Sequence, residues 1–165
     1  MDKARRSILF GLCMLPFGAA VPMSIKTTLK HWGSGEYRRF GLLIYEATLM
    51  AGNDPLEPPL ALRLDYRRSI SSSDIVKASL REMSRTVYDS VLLEKWEKQL
   101  NRIIPNVKRG DHIVGHYTPK GAVFSQGLRT LGQIDDLRFA EAFFGIWLDP
   151  RTSAPGLRAN LLKLT

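Results

Sequence analysis

His112 and His116 lie four residues apart, a spacing that on a helix would let two imidazoles hold one ion. The stretch that carries them, DHIVGHYT (residues 111–118), alternates as a strand instead. On a strand the two rings share a face about 13 Å apart at 3.3 Å per residue, too far to share one ion. No acid sits where a zinc protease needs one, so no metal site is assigned. His31 has no sequence partner and reads as structural. Ser71-Ser72-Ser73 could suggest a nucleophile, yet no glycine-flanked elbow surrounds them, and helix capping is the better account. Asp135-Asp136 could suggest paired carboxylates, but adjacent side chains point apart, so capping wins there too. Tyr88 and Trp96 share helical spacing with Leu92 and read as core. Arg63 stands on the polar face of an otherwise apolar strand, where a guanidinium aimed into a cleft would bind a carboxylate; the competing reading is a surface arginine. No catalytic residue can be assigned and nothing calls for a cofactor.

The elements that must position these groups follow from periodicity. The densest apolar and aromatic block is residues 135–162. Phe139, Ala142, Phe143, Ile146 and Trp147 fall on one helical face, with Asp135 or Asp136 as cap and Pro150 as terminator. Thr152 or Ser153 is expected to cap a second helix, with Pro155 in its first turn and Leu157, Leu161 and Leu164 on its inner face. Residues 25–32 and 36–50 read as strands joined by a turn at Gly33-Ser34-Gly35, and residues 51–59 (AGNDPLEPP) as a loop. Residues 60–67 alternate, with Leu60, Leu62, Leu64 and Tyr66 inward and Ala61, Arg63, Asp65 and Arg67 outward. A helical region follows the serines, with a change of phase near residues 84–86 that predicts two helices or a bend, closed by Pro105. Residues 111–118 and 121–126 form a predicted hairpin, and residues 131–134 a further short strand. Strands, helices, strands, helices without β-α-β alternation argue for α+β with an antiparallel sheet.

The amino terminus is a separate unit. Lys3, Arg5 and Arg6 precede an apolar run to Val21, with Gly18, Ala19 and Ala20 near its end: the order of a secretory signal peptide. We expect residues 1–20 to be the signal and 21–165 the domain, exported to the periplasm. The run of about 15 residues is short of the roughly 20 a spanning helix needs, so no stable membrane span is expected. Cys13 is the only cysteine, so the expected domain has no disulfide and no thiolate chemistry. The net charge is +8, of which residues 1–20 carry +2. The remaining bases are scattered among acids, which together with export argues against nucleic acid.

The block FAEAFFGIWLDPRTSAPGLRANLL resembles the closing segment of the bacterial chalcone isomerase-like proteins. GSGEYRRFGLLIYEATL, LRLDYRRSIS and IPNVKRGDHIVGHYTPKGAVF resemble the same family in the same order, so the likeness spans residues 27–162. The resemblance implies the chalcone isomerase fold: an open-faced sandwich, a large antiparallel sheet with a layer of helices on one face. Plant enzymes of that fold cyclise chalcones without a cofactor, using an arginine, a threonine, a tyrosine, a lysine and an asparagine. Here Gly41 stands where the threonine is expected. The stretch before Gly33 has Lys26 and Lys30 but no arginine, and residues 69–79 offer Lys77 with no tyrosine or asparagine. The resemblance therefore implies a non-catalytic protein that binds a small apolar, fatty-acid-like ligand; the candidate ligand-binding residues, Arg63, Tyr45 and Tyr66, come from the strand reading and not from a matched family motif. The same three would serve the alternative, an isomerase or intramolecular lyase with a rearranged active site. A third reading is an interaction module whose cleft is filled by its own side chains.

Overall fold

The computed structural model describes residues 28–164. The predicted signal peptide, its cleavage point and Cys13 lie outside the described residues. Six strands and four helices follow in the order β1 (Lys30–Arg39), β2 (Leu42–Ala51), β3 (Leu60–Tyr66), α1 (Ser72–Met83), α2 (Ser90–Ile103), β4 (His112–Thr118), β5 (Gly121–Gln126), β6 (Arg129–Ile134), α3 (Leu137–Leu148) and α4 (Pro155–Leu162). The strands pair antiparallel in sequence order, β1-β2-β3-β4-β5-β6. All four helices lie on one face, and the fold is the α+β open-faced sandwich that the resemblance implied.

Register explains which face the helices take. Leu60, Leu62, Leu64 and Tyr66 on β3 are buried, and they stand opposite Ala51, Leu49, Ala47 and Tyr45 on β2. Ile113 and Gly115 on β4 and Ala122 and Phe124 on β5 continue that inner face. α3 supplies the matching surface: Phe139, Phe143, Phe144 and Trp147 are all buried. Phe143 meets Phe124 edge-on at 5.1 Å between centroids and stacks on Phe139 at 5.5 Å. Aromatic pairs of this kind add about 0.5–1.5 kcal/mol to the burial itself. Trp96 of α2 packs edge-on against Phe139.

The caps tie these helices together. Ser71 accepts from the Asp74 N–H at 3.1 Å and donates to its carboxylate at 2.7 Å, fixing the start of α1. Asp136 accepts from the Phe139 N–H at 3.2 Å and also from the Trp96 indole at 3.0 Å, joining α3 to α2.

Four expectations are corrected. Gly33-Ser34-Gly35 is not a turn; it lies within β1. A Cβ on Gly33 would fall 2.4 Å from the Leu161 carbonyl oxygen, so the glycines serve close approach of α4 to the sheet. The turn is Phe40-Gly41, with φ of 50° and 77°, the double positive of a type I′ two-residue hairpin. α4 is capped by neither Thr152 nor Ser153: its cap residue is Ala154, and Thr152 Oγ1 instead donates to the Ile146 carbonyl at 2.6 Å. Leu164 is exposed, and Leu162 takes the inner position. Tyr88 is 86% exposed, because α2 begins two residues after it.

Candidate functional site: a cavity between sheet and helices

A cavity of about 390 Å³ opens between the β1–β3 end of the sheet and helices α1 and α3. That volume falls in the range of small-molecule sites, about 300–1,000 Å³. Its floor is the inner face of the sheet: Leu62 and Leu64 from β3, Ile113 and Gly115 from β4, Phe124 from β5. Phe143, Ile146 and Trp147 of α3 form one wall, and Ile75, Ala78, Ser79 and Glu82 of α1 the other. Buried apolar side chains line the interior. The exposed lining residues, Arg39, Arg68, Ser69, Asp74, Arg81 and Ser153, define the mouth.

The mouth is shaped by a bulge. Tyr37 pairs with Tyr45, but Arg38 pairs with Leu43, leaving Ile44 without a partner on β1. The extra residue turns Ile44 into the cavity wall and bends the strands there. Two residues on from Tyr37, Arg39 keeps the inner-face phase and reaches the mouth; two on from Tyr66, Arg68 does the same. Neither Arg39, Arg68 nor Arg81 has a carboxylate partner within salt-bridge distance among the described residues. Two acids, Asp74 and Glu82, share the lining.

Three tyrosines stand between mouth and floor. Tyr37 stacks on Tyr45 at 4.9 Å, and Tyr45 meets Tyr66 edge-on at 6.0 Å. The Trp147 indole donates to the Tyr45 hydroxyl at 3.0 Å. Burial pushes the Tyr45 phenol far above its ordinary value; the Trp147 N–H works against this, and Tyr37, Tyr66 and Glu82 add to the rise. Burial alone raises Tyr66. Both are neutral phenols at physiological pH, able to donate a hydrogen bond but not to act as bases. The cavity is thus an apolar interior with phenol donors partway in and cations at the entrance, an arrangement suited to a molecule with an apolar body and an anionic head.

The structure divides the three candidates from the sequence. Tyr45 and Tyr66 line the cavity together. Arg63 is on the opposite face of β3, where its guanidinium forks onto Asp65 at 2.8 and 2.7 Å. Asp65 is lowered and Arg63 raised, each chiefly by that shared hydrogen bond. Arg63 is therefore occupied and outside the cavity. Reading the sequence missed Arg39, Arg68, Arg81, Tyr37 and Trp147 as lining groups. Counting on by two from Tyr66 would have reached Arg68. His112 and His116 also lie on the outer face, each with its own partner: His112 Nε2 accepts from the Gly127 N–H at 3.1 Å, and His116 Nε2 is 3.2 Å from Ser125 Oγ. Among the described residues no cluster of three metal-type side chains is found. The cleft is not filled by its own side chains, which counts against the interaction-module reading.

Comparison with known proteins places the chain. The sequence model of the family described as chalcone isomerase-like matches residues 41–163. An uncharacterized protein of Haemophilus influenzae is 24% identical over 160 residues, covering 93% of this chain and 76% of that protein. The crystal structure of an Arabidopsis thaliana fatty-acid binding protein superposes with a TM-score of 0.62 at 12% identity, covering 87% of this chain and 91% of that one. At that identity the likeness speaks for the fold.

Proposed function

The chain belongs to the chalcone isomerase-like family, and on that premise we propose that it is a non-catalytic binding protein for a fatty-acid-like ligand. The acyl chain lies in the cavity against Leu62, Leu64, Phe124 and Phe143, and the carboxylate sits at the mouth within reach of Arg39, Arg68 and Arg81. One observation carries this reading: an apolar cavity of about 390 Å³ whose entrance holds three arginines without salt-bridge partners among the described residues. The fold shared with a fatty-acid binding protein supports it. The absence of a matched catalytic set supports it as well. Gly41, where a threonine is expected, lies in the hairpin turn with no side chain, and Lys77 is exposed and outside the cavity lining.

We read residues 1–20 as a signal peptide that exports the protein to the periplasm; amino-terminal sequencing of the processed protein tests this. The ligand is tested by titrating purified protein with a fluorescent fatty-acid analogue, then displacing it with palmitate and with the matching alcohol. Saturable binding that favours the acid over the alcohol supports the reading. Absence of saturable binding, or equal affinity for acid and alcohol, overturns it.

A further inference from the structure

Phe40 is the tip of the β1–β2 hairpin, 90% exposed and at a φ of 50°. Both features work against the fold. A bulky side chain at positive φ is strained where asparagine is not, and an exposed ring buries nothing. The ring's near neighbour is the Arg39 guanidinium, 5.3 Å from its centroid. A residue that weakens the fold and packs on nothing in it points to a use outside it.

The topology shows what shares its surroundings. In a sheet that runs antiparallel in sequence order, the β1–β2 turn, the exit of β3, the entry to β4 and the β5–β6 turn all fall at one end. That end carries a second fully exposed apolar residue, Leu128 in the β5–β6 turn, about four strand spacings away, roughly 19 Å. Between them lie Arg67 and Arg68 after β3, and Lys108 and Arg109 before β4, with one acid, Asp111, whose carboxylate accepts from the Lys108 backbone N–H at 2.9 Å. The Arg67 N–H bonds to the Ile44 carbonyl at 2.9 Å and the Gly110 N–H to the Tyr66 carbonyl at 2.9 Å, which holds both segments beside the hairpin. Glu36 and Glu46 pair with Arg38 and Arg67. Arg39, Arg68, Lys108 and Arg109 have no salt bridge among the described residues. The loops at the opposite end carry Asp54, Glu57, Asp135 and Asp136 against Lys120. Apolar points standing out from a basic rim are complementary to an anionic bilayer: the rings and methyl groups enter the acyl boundary and the cations meet the headgroups.

We propose that this end of the sheet docks on an anionic lipid surface, with Phe40 and Leu128 entering the interface and the basic residues between them facing the headgroups. Arg39 and Arg68 belong both to this surface and to the cavity mouth, so docking brings the entrance against the bilayer. That last consequence rests on the binding function proposed above; docking itself does not.

The test uses the full chain with Cys13→Ser and one new cysteine carrying an environment-sensitive fluorophore, Phe40→Cys at the hairpin tip or Leu56→Cys in the loop at the far end. Each is mixed with phosphatidylglycerol or phosphatidylcholine vesicles. The label at 40 shifts to the blue with phosphatidylglycerol and is quenched by brominated lipid, the shift is reversed by salt, and the label at 56 stays water-like. Lys108→Ala and Arg109→Ala, outside the cavity, each lower the partition read at position 40 about fivefold. They leave fatty-acid binding without vesicles unchanged. A water-like label at 40 with anionic vesicles overturns the proposal, as does an equal shift with neutral vesicles or at position 56. If the tip docks but no fatty acid binds in solution, the cavity reading fails and docking stands; fatty-acid binding with a water-like tip gives the reverse.

Discussion

The Trp147 indole donates to the Tyr45 hydroxyl at 3.0 Å, joining residues 102 positions apart in the chain. The bond locks α3 to β2 at the rim of the cavity. It also fixes the ring of Tyr45 between Tyr37 and Tyr66, so helix, sheet and cavity wall are positioned by one contact.

That contact and its neighbours give the protein an alkaline limit. Tyr45 and Tyr66 are raised by burial, so the folded state keeps protons that the unfolded chain releases above about pH 10. Their stabilisation is complete below pH 10 and falls as pH rises toward their folded values. Each phenol contributes a slope of about 1.4 kcal/mol per pH unit in that window. Urea unfolding at pH 9 and pH 11 reads it, and Tyr66→Phe reduces the pH dependence by about one such slope. An unchanged difference would place the Tyr66 hydroxyl in water.

Asp136 caps α3 and accepts from Trp96. Burial alone would raise its carboxyl, but the Trp96 indole, the N–H groups of Phe139 and Arg138, and Lys95 outweigh it and hold it below the usual range. Asp136→Ala removes the cap and leaves the indole unpaired, an expected loss of about 1–3 kcal/mol at pH 7. The carboxylate's contribution is present above about pH 4 and is lost as pH falls through its lower folded value. Asp136→Asn therefore shows less acid sensitivity than the wild type in thermal melts at pH 3 and pH 6.

Phe143 is buried between Phe124, Phe139, Phe144 and Trp147. Phe143→Ala is expected to cost about 3–5 kcal/mol in denaturant unfolding. A loss under about 1 kcal/mol would remove that side chain from the core.

The arginines separate cavity from surface. Arg39→Ala and Arg68→Ala are expected to weaken fatty-acid binding by roughly tenfold or more, as loss of a charge-assisted hydrogen bond does. Arg63→Ala leaves binding unchanged and costs at most about 1 kcal/mol of stability, because its pair with Asp65 is largely solvent-screened. Loss of binding in Arg63→Ala alone would reverse the assignment. The wild type is also expected not to accelerate ring closure of naringenin chalcone; acceleration abolished by Tyr45→Phe would favour a rearranged isomerase.

Much of this architecture is legible in the sequence because each clear pattern has one physical solution. The Leu60–Tyr66 alternation fits only a half-buried strand, and the Phe139–Trp147 stripe only a helix laid on a broad apolar face. Glycine is where legibility fails. Gly33 and Gly35 read as a turn because freedom of φ and want of a side chain look alike in sequence, and here the second was needed. Arg63 shows the same limit for the site. Alternation put it on the polar side of β3, but no property of one strand tells whether a cleft lies on that side. The cavity is assembled from five strands and two helices, and the placement of Arg39 and Arg68 at its mouth follows from register across the strands.

The close fit of α4 on Gly33 brings the first strand and the last helix together, although the chain between them makes the other five strands of the sheet. The two ends of the folded unit are therefore neighbours in space. A short polar bridge between them would let the polypeptide be opened elsewhere, most readily in the exposed loop of residues 52–59. Such a circularly rearranged chain would keep every strand pairing and lose only the covalent link between β2 and β3. The order of the elements along the chain is thus separable from the cavity they enclose.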